Sequence, residues 1–182
     1  MQKINKKHIF YIKDNLFDNI INKIQTSQTS HTIIVPHVCN NINLFDAGFA
    51  GQISIRYPVV KANFHLLGKD AKLGYTQFVK AYENTKKESE IVFANMISQN
   101  GTIGALNKRP LNYAFLMRCM LDVKQFIQNK TKEDTEQIIE IHCPKFGSGL
   151  AGGQWSFIHQ LIIDIWKNIP VYVYDYDNRN KI

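Results

Sequence analysis

The seven residues Thr32–Val38 constrain the fold more than any other stretch of the chain. They form a continuous apolar run, the pattern of a β-strand buried on both faces. Such a strand needs helices above and below its sheet. Further strands are predicted at Ile9–Lys13, Tyr75–Ala81, Ile91–Met96, Gln137–Cys143 and Val171–Tyr174. Helices are predicted at Leu16–Lys23, Gly48–Arg56, Pro58–Leu67, Asn112–Gln128 and Trp155–Lys167, with Pro58 ending the helix before it. In the fourth helix Tyr113, Leu116, Met117, Met120, Leu121 and Ile127 share a stripe, and in the fifth Ile158, Leu161, Ile162 and Ile165 do. The polar stretches Thr26–His31, Lys86–Glu90 and Asn129–Asp134 read as solvated connections. Strands alternating with helices predict an α/β domain around a largely parallel sheet, with helices on both faces. Ligands of such sheets collect beyond the carboxyl ends of the strands.

Composition narrows the partners. The 182 residues fit one domain, and 45% apolar against 20% charged residues excludes global disorder. A net charge of +7 favours an anionic partner. The basic residues are scattered rather than striped with aromatics, so nucleic acid ranks last among the anions. Cys39, Cys119 and Cys143 are odd in number and irregular in spacing, which fits a reducing cytoplasm rather than a disulfide framework. No Cys/His cluster has zinc spacing, so neither a metal nor another cofactor is expected. The N-terminus is basic at Lys3, Lys6 and Lys7, but the apolar run His8–Ile12 is too short for a signal-peptide core. Phe157–Trp166 is broken by His159, Gln160 and Asp164, so no membrane partner is expected. A cytoplasmic monomer is the expectation.

Two glycine-bearing loops lie where ligands should collect. The first runs from His37 through Asn40, Asp46 and Gly48 to Gly51, and the second from Pro144 through Gly147, Gly149, Gly152 and Gly153 to Trp155. Each leads from a strand into a helix, whose first N–H groups make an anion site. Two such loops on neighbouring strands could hold a diphosphate between them. Gly147–Gly152 also matches GxGxxG, but only one strand follows it, which counts against a dinucleotide-binding domain. No GxxxxGK[ST] is present, which excludes a P-loop.

Four segments in order carry a resemblance. They are Tyr11–Phe17, His37–Asn40 continuing through Gly48–Ile53, Val92–Gly101, and Ile141–Trp155. Together they resemble a macrodomain, the ADP-ribose-binding module, and are most similar to its small phage or bacterial branch that processes ADP-ribose 1''-phosphate. The resemblance covers nearly the whole chain and implies a single macrodomain over residues 1–182. It implies a three-layer α/β/α fold with a mixed, largely parallel central sheet. Asn15 stands where the family usually has an aspartate that binds the adenine amino group. Asn40 matches the asparagine facing the distal ribose. Gly48, Phe49 and Ala50 match the first phosphate-facing loop. Within Gly147–Gly152, the residues Ser148, Gly149, Leu150 and Ala151 match the second. Gln99 is placed to touch the ribose or shape the pocket, and Phe146 and Tyr176 to flank the adenine or ribose.

The departures bear on chemistry. Asn43 and Asp46 stand where the family often has glycine, and both tolerate left-handed backbone. Ala50 and Ala151 stand where two hydrolytic branches carry an aspartate, which argues against both of those mechanisms. Releasing a terminal phosphate needs a positioned water and a proton donor. The catalytic candidates are His142 and Asp46, with Asn40 holding the substrate. His37 reads as structural, and no base is placed to activate Cys39 or Cys143. Two functions stay open. One is metal-independent hydrolysis of an ADP-ribose derivative, foremost ADP-ribose 1''-phosphate to ADP-ribose and phosphate. The other is a non-catalytic module that holds ADP-ribose or an NAD-derived signal.

Overall fold

The computed structural model describes residues 8–175. The elements run β1 (Ile9–Ile12), α1 (Leu16–Thr26), β2 (His31–Asn40), α2 (Gly48–Arg56), α3 (Pro58–Leu67), a 3-10 turn at Gly68–Asp70, β3 (Thr76–Asn84), β4 (Ser89–Gln99), α4 (Tyr113–Glu133), β5 (Ile138–Pro144), α5 (Trp155–Ile165) and β6 (Val171–Tyr174). The strand order is β1-β6-β5-β2-β4-β3. Every neighbouring pair is parallel except the β3–β4 hairpin, so the sheet is mixed and largely parallel as expected.

Burial follows the strand periodicity. In β2, Ile33 and Val35 pack under α1, α2 and α3, while Ile34 packs under α4 and α5. All three are fully buried, which is what an unalternating apolar strand between two helical layers requires. At the end of α5, Trp166 is fully buried and its Nε1 donates to the Met120 carbonyl at 2.9 Å, tying α5 to α4.

Three predicted connections shrink. Asn129–Glu133 is not a turn but the end of α4, where Lys130 reaches the buried Glu90 at 2.8 Å. Ser89 and Glu90 open β4 and are buried, with Ser89 Oγ accepting the His31 amide. Thr26 belongs to α1 and His31 to β2.

One irregularity positions the site. β2 pairs with β4 over Thr32–Asn40, but with β5 only over His31–Ile34. Pro36, which has no N–H to give a ladder, comes just beyond. β5 nevertheless continues to Pro144. The two central strands therefore stop pairing before their carboxyl ends, and both glycine loops leave from that fork. Among the described residues, no helix is long and apolar enough to cross a membrane.

Candidate functional site

A cavity of about 550 Å³ opens beyond the fork. Residues 37–40 of β2 form its floor, and both glycine loops form its walls. Leu44–Ala50 come from the first loop, and Lys145–Gly147 with Gly149–Ala151 from the second. Gln99, Thr102 and Ile103 close a third side. A Cβ built on Gly48 would lie 3.4 Å from Leu150 Cδ1, so the two loops approach within about one methyl group of contact.

The first loop ends in the start of α2. Gly48 has φ 56°, and Ala47, the residue before the helix, offers no side-chain hydrogen bond to cap it. The first-turn amides at Gly48, Phe49 and Ala50 thus have neither an intrahelical nor a side-chain partner. Asn43 and Asp46, the two replacements of glycine, are held by α3. Asn43 Oδ1 pairs with His65 Nδ1 at 2.9 Å, and Asp46 pairs with Lys61 Nζ at 2.5 Å. Phe45, almost fully buried, packs its ring 5.0 Å from that of Phe64. Asn40 lines the cavity, but its amide clasps the loop: Nδ2 donates to the Leu44 carbonyl, and Oδ1 accepts the Ile42 and Leu44 amides.

The second loop is a closed turn. Gly153 N donates to the Gly147 carbonyl at 2.8 Å, and Gly152 N to that of Gly149 at 2.9 Å. A Cβ on Gly153 would meet Leu111 Cδ2 at 2.4 Å and the Gly147 oxygen at 2.6 Å. Gly152, at φ 72°, lies behind the wall, where a Cβ would strike the Lys108 carbonyl at 2.7 Å. Ser148 Oγ donates to the Lys145 carbonyl. Ser148 and Gly152 therefore shape the loop, while Gly147, Gly149, Leu150 and Ala151 face the cavity. Phe146 is buried edge-on to Trp155 and lines the wall.

Two expected site residues fall elsewhere. Asn15 caps α1, its side-chain oxygen accepting the Phe17 and Asp18 amides, and it does not line the cavity. Both lone pairs of that oxygen are thereby engaged by the start of the helix. His142 is also off the lining, beneath the α1 side of the sheet. Its Nδ1 meets the Tyr174 hydroxyl at 2.9 Å, its Nε2 faces Glu140 at 3.3 Å, and its ring stacks on Tyr172. Burial holds its pKa below the ordinary value despite the carboxylate. Tyr176 lies outside the described residues.

The lining carries little charge. Among the described residues, Asp46 is its one carboxylate and Lys145 its one amine, the latter paired with Asp175 at 2.7 Å. His37 is fully buried in the floor, and that burial pushes its pKa down to about 4, so it is neutral near pH 7. Burial also raises the Cys39 thiol well above its usual range. Among the described residues, no group of three or more His, Cys, Asp and Glu side chains could hold a metal ion. Leu44, Phe45, Thr102, Ile103 and Lys145 went unnoticed in the sequence. The strand-end rule that found the two loops also points to Gly101–Gly104, which follows β4.

Comparisons with known proteins agree with this geometry. No protein-family model matches the chain. An uncharacterised 17.5 kDa protein of Enterobacteria phage T4, from the tk-vs intergenic region, is 25% identical over 147 residues, which are 79% of this chain and 86% of that protein. A protein of unknown function from Bacteroides thetaiotaomicron superposes with a TM-score of 0.71 at 28% identity, covering 94% of this chain and 99% of its own. A macrodomain protein from Streptomyces coelicolor does so with a TM-score of 0.65 at 26% identity, covering 93% and 99%. Thermosipho africanus DarTG in complex with ADP-ribose matches with a TM-score of 0.59 at 14% identity, over 94% of this chain and 54% of its own. With two helical layers about a mixed six-stranded sheet and a cavity at its strand ends, this chain has the macrodomain fold.

Proposed function

We propose that the cavity binds ADP-ribose, with the diphosphate between the start of α2 and the Gly147–Ala151 turn. One observation carries this reading: two amide-rich loops on separate strands line a single cavity and approach so closely that a Cβ on Gly48 would reach van der Waals contact with Leu150. Uncapped helix amides suit an anion, and at the first loop Lys61 offsets the Asp46 charge. The nucleotide bound by Thermosipho africanus DarTG, a relative in fold, supports the same choice. Gln99 and the Leu44 end of the first loop then surround the distal ribose, and Phe146 the opposite end.

We further infer hydrolysis of ADP-ribose 1''-phosphate at the distal end, with Asp46 as the acid–base group. Its carboxylate takes a proton from the water that attacks phosphorus. As the P–O bond breaks, it returns that proton to the departing 1''-oxygen. A second reading, binding without turnover, is favoured by the tethers on the polar groups. Asp46 is engaged by Lys61 and the Asn40 amide by its own loop. Thermal shift and calorimetry with ADP-ribose test the binding, and the absence of any response up to millimolar ligand defeats both readings. Phosphate released from ADP-ribose 1''-phosphate, and lost in Asp46→Asn with binding intact, selects the enzyme.

A further inference from the structure

We propose that His37 is a positioning residue for the first loop, its imidazole fixed in the Nε2–H form by a hydrogen-bond relay that ends on the backbone of α3. The part that concerns ligand affinity rests on the ADP-ribose reading above.

The relay crosses three strands in register. His37 faces Asn95 on β4, and Asn95 faces Gln77 on β3. His37 Nε2 lies 2.6 Å from Asn95 Oδ1, Asn95 Nδ2 donates to Gln77 Oε1 at 2.9 Å, and Gln77 Nε2 donates to the Asn63 carbonyl at 2.9 Å. The last partner sets the direction of all the others. A backbone carbonyl only accepts, so Gln77 must present its NH₂ to Asn63 and its oxygen to Asn95. Asn95 must then donate to Gln77 and turn its own oxygen to His37. The proton of the ring therefore sits on Nε2, and Nδ1 is left as an acceptor. Its neighbour there is the Cys39 thiol, with Sγ at 3.7 Å.

The ring so fixed supports the loop above it. Phe45 and Phe49, both on the cavity wall, meet His37 edge-on with centroids at 5.5 Å and 5.9 Å. Asn95, Cys39 and the Val38 backbone are its polar contacts, and of the groups around the ring only the Cys39 thiol titrates. A proton added to Nδ1 would place a positive charge in a fully buried site with no carboxylate in contact. The same helix that anchors the relay at Asn63 also grips the loop through Lys61, Phe64 and His65, so loop and floor share one support.

The test begins without ligand. Multiple-bond ¹H–¹⁵N correlation on ¹⁵N-labelled protein is expected to place the His37 proton on Nε2 at pH 7 and to keep it there at pH 5. A proton on Nδ1, or an imidazolium at pH 7, overturns the relay whether or not ADP-ribose binds. Asn95→Asp then puts a carboxylate beside the ring and favours the imidazolium. In that variant the ADP-ribose Kd is expected to weaken roughly ten-fold between pH 8 and pH 6, against a flat wild-type profile, the scale of one perturbed buried hydrogen bond. If Asn95→Asp does not fold, Gln77→Met removes the anchor, and mixed tautomers with a similarly weakened Kd are expected. A wild-type pH profile in Asn95→Asp, or a single Nε2–H form with wild-type affinity in Gln77→Met, refutes the positioning role. A wild-type protein that ignores ADP-ribose refutes the proposed function instead, and leaves the relay to be judged by the tautomer.

Discussion

Lys61 of α3 grips Asp46 of the first loop at 2.5 Å, and the two sit on opposite sides of the question of what the cavity does. Asp46 brings a negative charge to the wall proposed to hold the diphosphate, and Lys61 offsets it. The pair is largely solvent-accessible, so its contribution to folding is small, below about 1 kcal/mol. Its effect on a bound phosphate is direct. Lys61→Ala is expected to leave the melting temperature nearly unchanged and to weaken ADP-ribose binding roughly five-fold, measured by calorimetry at low salt. Asp46→Asn is expected to bind at least as tightly as wild type. Equal affinities in all three proteins would remove Asp46 from the ligand's surroundings.

The glycines of the second loop should separate into two kinds. At Gly153 an added Cβ meets Leu111 and the Gly147 oxygen far inside contact distance, with a closed turn and two packed elements around it. Gly153→Ala is expected to cost about 2–3 kcal/mol of stability, the scale of an overpacked site. At Gly149 a Cβ meets nothing within 4 Å and the backbone is not left-handed. Gly149→Ala should keep the wild-type melting temperature while changing ADP-ribose affinity, because the new methyl projects from a residue that lines the cavity. Thermal unfolding with and without ligand reads both.

Stability should fall on mild acidification. Burial depresses the pKa of His31, His37 and His142, with that of His37 reaching about 4. Unfolded histidines take up protons near 6.5 while the folded ones resist, so the unfolded state binds more protons through this window. The stability contributed by the neutral rings is complete above about pH 7 and drains away as pH drops from about 6.5 toward 4. His37 alone accounts for about 3 kcal/mol of that loss. Urea midpoints across pH 4.5–8 check this, and a midpoint that rises on acidification contradicts it.

Glu140 should be a structural residue with no influence on the cavity. Burial raises its pKa, but hydrogen bonds from His142 and Lys23 and the charge of Lys23 outweigh that and bring it to about 2. Its stabilisation is therefore present above the ordinary carboxylate range and is lost only as pH falls toward 2. Lys23 Nζ lies 2.6 Å away, and the Tyr172 hydroxyl donates to it as well. Glu140→Gln is expected to cost about 2 kcal/mol in chemical denaturation, the scale of lost hydrogen bonds to a charged group. The folded fraction should keep wild-type ADP-ribose affinity and wild-type phosphate release. A selective loss of turnover would return His142, which Glu140 holds, to the catalytic machinery.

Local signals in the sequence placed most of the scaffold. Gly48 and Pro58 bracket α2 and start α3, so both helices are found at their predicted bounds. The end of α4 was hidden because residues 129–133 are polar and the acceptor of Lys130 is Glu90, about forty positions earlier. Both loops were visible as glycine clusters at strand ends. The duties of single side chains were not. Asn15 looks like a ligand contact when read alone, yet it caps a helix, while Asn40 lines the cavity and also ties its own loop together. His142 sits two residues before the second loop, but strand alternation turns it to the α1 side, among Lys23, Glu140 and Tyr174. The relay through Asn95 and Gln77 depends on strand register, which no local pattern encodes.

Pro36 interrupts the middle of the sheet, where a designer seeking rigidity would place valine. The ladder between β2 and β5 ends at Ile34, and the cavity lies past that point. A barrier to zippering is thus built into a strand buried on both faces. A chain free to zip further would be a sturdier object with nowhere to seat a guest.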